Sequence, residues 1–123
     1  MCGDDDEHDH DHMDEELVNR FLELAGRYNI TPDPAGAGPP GQLTDENLRG
    51  IYMEGLLKAG LTRAINDAIN LPEGERMDII AGQSIVFARL AGLLAGLFPP
   101  GTDIFHTVIS ALMEGHGEAT RIG

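Results

Sequence analysis

Four stretches of this chain carry apolar residues at three- and four-residue spacing, the period of a helix that turns one face to a core. In the first, residues 14–29, Leu17, Phe21, Leu24 and Tyr28 recur on one side, and Val18, Leu22 and Ala25 widen the stripe. The second is predicted to open at Thr44 as N-cap, with Asp45 and Glu46 in its first turn and Leu43 against Leu48. Its face runs through Leu48, Ile51, Tyr52, Leu56 and Ala59 to Ile65, Ala68 and Ile69, and Gly50, Gly55 and Gly60 suggest either close helix contacts or a break at Gly60 with a fresh start at Thr62. The third begins with Pro72 in its first turn and reaches about Phe98, where Pro99, Pro100 and Gly101 stop it. The last is capped by Thr102, carries Phe105, Val108, Ile109 and Leu112, and ends at Gly115. No run alternates as a strand does. The predicted fold class is all-α: a small helical bundle of four to five helices.

The third helix differs from the others. At 100° per residue, Ile79, Ile80, Val86, Phe87, Leu90, Leu93, Leu94, Leu97 and Phe98 share one broad arc, and Ala81, Ser84, Ala88, Ala91, Gly92, Ala95 and Gly96 lie on the opposite one. The bulky arc is expected to fill the core, and the small one to let another helix approach closely. Self-association through this small strip is expected, as a homo-oligomer through helix 3, with packing of helix 2 and its Gly50, Gly55 and Gly60 on the strip within one chain as the competing account. A membrane span is the competing reading of such an apolar segment. Arg89 near its middle costs about 2.5–3.5 kcal/mol on insertion scales. Gln83 adds to that cost, and no Lys/Arg cluster flanks either end, so the pattern argues against a membrane.

Charge divides the chain. Over 123 residues the net charge is −13, yet nine of the 21 acids fall within the first 16 residues, where no Lys or Arg stands. The remainder holds 12 acids against 8 bases and is close to neutral. Residues 1–13 are therefore predicted to be a disordered acidic tail. Residues 30–43, with Pro32, Pro34, Pro39 and Pro40 among glycines, read as a linker. Residues 44–115 read as the helical core and 116–123 as a C-terminal tail. The acidity argues against nucleic-acid binding and admits a basic protein partner for the tail. One Cys and no Sec-type signal point to a cytoplasmic protein, and the Arg-, Ala- and Gly-rich body to a bacterial or phage source.

The strongest candidate chemistry is His8, His10 and His12, interleaved with Asp9 and Asp11. In an extended chain the three imidazoles fall on one side, where they can share a divalent transition metal, Zn, Ni, Co or Cu. Met1-Cys2-Gly3 resembles, over three residues, the opening of class II glutamine amidotransferases, whose exposed Cys is a nucleophile. The carboxylates of Asp4–Asp6 would raise that thiol's pKa, so a further metal ligand is the better use of Cys2. Asp103, His106 and Ser110 have the residue types of a hydrolase triad, without a nucleophile turn to present them. His116 and Glu118, with Glu114, could add metal ligands, or simply be surface residues after a helix.

The expected function is that of a non-enzymatic, oligomerising helical binding or adaptor protein with a metal-competent, His-rich acidic tail. Two alternatives stand beside it. One is a small acidic inhibitor or nucleic-acid mimic of the phage-antagonist type; the other is a metal chaperone or sensor.

Overall fold

The structure, a computed structural model, describes residues 2–36, 38–39 and 41–122, with backbone alone for residues 2–13. Among these residues the chain is all-helical, with four helices and no strand: α1 Cys2–Arg27, α2 Glu46–Ile69, α3 Glu73–Ala95 and α4 Ile104–Thr120. It divides into two compact units. One comprises Met1–Pro34 with Arg89–Gly123, and the other Ala35–Ala88.

In the first unit, α1 begins at Cys2 and so takes in nearly all of the segment expected to lack structure. Acidic residues close to a helix N-terminus complement the positive end of its dipole, which favours this start. The helix ends where Asn29 adopts a left-handed backbone, φ 56°. The Ile30 amide then donates to the Ala25 carbonyl at 2.8 Å, a Schellman-type closure. At the far end of α3 the amide of Gly96 donates to Gly92, and those of Leu97 and Phe98 to carbonyls three residues back. The α-helix therefore stops at Ala95 and tightens before the prolines, rather than reaching Phe98. The Arg20 guanidinium donates to the Gly96 carbonyl at 3.0 Å, supplying a partner that the helix end lacks.

The start of α4 also departs from expectation. Its N-cap is Asp103, and the Thr102 hydroxyl donates backwards to the Pro99 carbonyl, so it is not free to cap. The helix passes through Gly115 and Gly117 to Thr120, beyond the expected stop. A glycine inside a helix costs about 1 kcal/mol relative to Ala, too little to end it alone.

The second unit is a helical hairpin. Asp45, not Thr44, caps α2: its Oδ1 accepts from the amides of Asn47 at 2.9 Å and Leu48 at 3.2 Å. Its extended backbone, φ −70° and ψ 125°, aims the carboxylate back at the first turn. The helix runs unbroken through Gly60, which removes the predicted fifth helix. Asn70, Leu71 and Pro72 form the turn into α3. Arg76 secures that turn by donating to the carbonyls of Leu71 at 3.2 Å and Ile69 at 3.4 Å. Further along, Gln83 Nε2 donates to the Ala64 carbonyl at 3.0 Å, which fixes the antiparallel register of α3 on α2.

Burial divides both arcs of α3. Ala68 and Ala95 are the buried apolar residues among those described. The bulky arc is half-buried at Ile79, Leu93 and Leu97 and exposed at Ile80, Val86, Phe87, Leu90 and Leu94, and in the small strip Ala95 is buried, Ala91 half-buried, and Ser84 and Ala88 exposed.

Candidate functional site

The exposed apolar surface of the α2–α3 hairpin is the principal candidate. Gly60, Ala64 and Ala68 fall along one side of α2, and Ile79 and Gln83 along one side of α3; all are half-buried or buried, which marks the facing sides. From that seam the helical period assigns the remaining residues to two edges. One edge carries Arg63 and Asp67, paired at 2.9 Å, together with Asp78. Leu61 and Ile65 of α2 and Ile80 and Phe87 of α3 fall on the other edge, all exposed. Exposed apolar and charged residues stand on both edges, with Leu56 and Ile85 on the side of Arg63, and Glu54 and Lys58 on the side of Leu61 and Ile65. A groove of about 450 Å³ also lies between the helices, with Arg63, Asp67, Ile79, Val86 and Phe87 in its wall, so Phe87 borders the seam on the side of Arg63 as well. Its charged groups answer one another, and it presents no nucleophile.

In the other unit, Arg89 meets the turn that follows α1. Its guanidinium donates to the Tyr28 hydroxyl at 2.9 Å and sits 6.0 Å from the centre of the Tyr28 ring. The charge that opposes a membrane span of α3 has a partner here. Length and composition alone would suffice for α3 to cross a bilayer.

The residues singled out for chemistry are not assembled into a centre. The side chains of Cys2, His8, His10 and His12 lie outside the described residues. Their backbone is helical, however, and this changes the register expected of an extended strand. In a helix positions 8 and 12 fall on one face, and position 10 lies about 200° away from position 8. Asp103, His106 and Ser110 are all exposed on α4, and no hydrogen bond joins them among the described residues. His116, Glu114 and Glu118 are exposed, and no group of three potential ligands able to hold a metal forms among the described residues. Sequence reasoning missed Arg20 and Arg76, whose roles depend on carbonyls left open where α3 and α2 end. Comparison with protein-family models, with curated proteins and with solved structures finds no match.

Proposed function

We propose that this chain is a non-enzymatic helical protein that acts by association, through apolar helix faces, with itself and with partner proteins. The observation that carries this reading is the exposure of large apolar side chains on all four helices while only two alanines are buried among the described residues. Large apolar side chains left in water in such number favour association with another apolar surface. The apolar α3 is the main association element. The acidic N-terminal segment is a separate, metal-competent element that also suits a basic partner. A cytoplasmic setting accords with the single Cys.

Size-exclusion chromatography with light scattering over a range of concentrations tests the reading. A mass at least twice the 13.2 kDa of one chain is expected. A single-chain mass at every concentration would overturn the self-association, and binding to uncharged phospholipid vesicles would assign the apolar faces to a membrane instead.

A further inference from the structure

We propose that the first turns of α1 form a helix-borne metal site, in which His8 and His12 hold one divalent transition metal and carboxylates of the same face complete its ligands. The inference rests on the metal-competent reading of the acidic segment; it names the ligands and their effect on the helix. The backbone is helical from Cys2, so residues 8 and 12 stand about one turn apart on one face. Paired histidines at that spacing on a helix can share a zinc ion. Asp5 lies about one turn before His8, and Glu15 and Glu16 about one turn after His12, on the same side of the helix. Imidazole nitrogens with carboxylate oxygens and water make a donor set for Zn²⁺, Ni²⁺ or Co²⁺. His10 belongs to the other side and is no ligand while the helix is intact.

The later turns of α1 separate the two sides. Leu17, Leu24 and Ala25 are half-buried and mark the side of the helix that packs. They lie roughly 100–180° around the helix from positions 8 and 12, and within about 60° of position 10. Glu15 and Glu16, on the side of His8 and His12, are exposed. The face proposed for the metal is therefore turned away from the packing side, and position 10 falls in line with it.

Charge gives the metal a second effect. Nine acids and no Lys or Arg stand in the first 16 residues. Asp5 and Asp9, Glu7 and Asp11, and Asp11 and Glu15 are like charges four residues apart, a spacing that destabilises a helix. The helix dipole offsets this only in the first turn. A divalent cation on this face neutralises part of that charge and ties two turns together, so it binds the helical form better than the open one. Metal occupancy and helix stability are thereby linked in this stretch.

The test uses the full chain, with Zn²⁺ or Ni²⁺ alone as the probe. Calorimetry should find a single metal per chain, and amide hydrogen exchange over residues 4–16 should slow on binding. His8→Ala and His12→Ala should each weaken binding by more than the roughly tenfold that loss of an outer-sphere partner costs, and should remove the protection. His10→Ala should leave both nearly unchanged. An equal loss in His10→Ala, or faster exchange on binding, would overturn the helical site in favour of the extended three-histidine form. Binding with no change in exchange would overturn it as well. Equal protection by Mg²⁺ at the same concentration would assign the effect to charge alone and overturn ligation by the imidazoles. No uptake of either metal by the wild-type chain would overturn this site together with the metal-competent reading, whereas the association reading is decided separately by the mass of the chain in solution.

Discussion

Gln83 Nε2 on α3 donates to the Ala64 carbonyl oxygen on α2 at 3.0 Å, half-buried, in a helix pair whose seam is otherwise apolar. A carbonyl within a helix already accepts from the amide four residues on, so this bond uses its second lone pair. The polar residue that weighs against a membrane span of α3 thus fixes how α3 lies on α2. Replacing Gln83 by Ala should cost about 0.5–1.5 kcal/mol, the usual net worth of such a bond. Urea unfolding followed by circular dichroism would show it as a lowered midpoint at unchanged slope; no shift would mean that apolar contact alone sets the register.

The cap of α2 gives a prediction that separates two adjacent residues. Asp45→Ala should destabilise the protein by about 1 kcal/mol, since the amides of Asn47 and Leu48 lose their acceptor. Thr44→Ala should stay within about 0.5 kcal/mol, as expected for a surface change away from such a feature. Equal effects of the two in thermal unfolding would mean that Thr44 shares the cap.

Two glycines should respond in opposite directions. Gly101 has φ +97°, a backbone that L side chains rarely adopt, so Gly101→Ala should destabilise by more than about 1 kcal/mol. Gly115 lies inside α4 with open space where a Cβ would stand. Gly115→Ala should stabilise by up to about 1 kcal/mol. Melting temperatures of the two variants, measured side by side, would check both signs.

The acidic segment should bind a divalent transition metal through His8 and His12, which share a face of the helix, and His10 joins them as a third ligand only where that turn opens to the extended form. Calorimetric titration with Zn²⁺ or Ni²⁺ should show binding near pH 7.5 that is largely lost by about pH 5.5, because a protonated imidazole cannot ligate. Changing all three to Ala should abolish it. Undiminished uptake by that variant would move the ligands elsewhere, with Cys2 and the neighbouring carboxylates next in line.

Helix content was legible in the sequence because a helical stripe is a local periodicity, visible without knowing what it packs against. The all-α class, the turn at Asn70–Pro72 and the stop before Pro99 follow from such local signals. Helix ends were less legible. Thr44 and Asp45 are both capping residues, and only the backbone angles at Asp45 choose between them. Gly60 and Gly115 read as breaks, although helices continue through both. What tertiary structure alone decided is which side of each stripe is covered. Ile80 and Ala95 are both apolar residues of α3, yet Ile80 is exposed and Ala95 is buried. Periodicity reports that a face is apolar; which of its residues are covered depends on where a neighbouring segment, distant in sequence, packs against it.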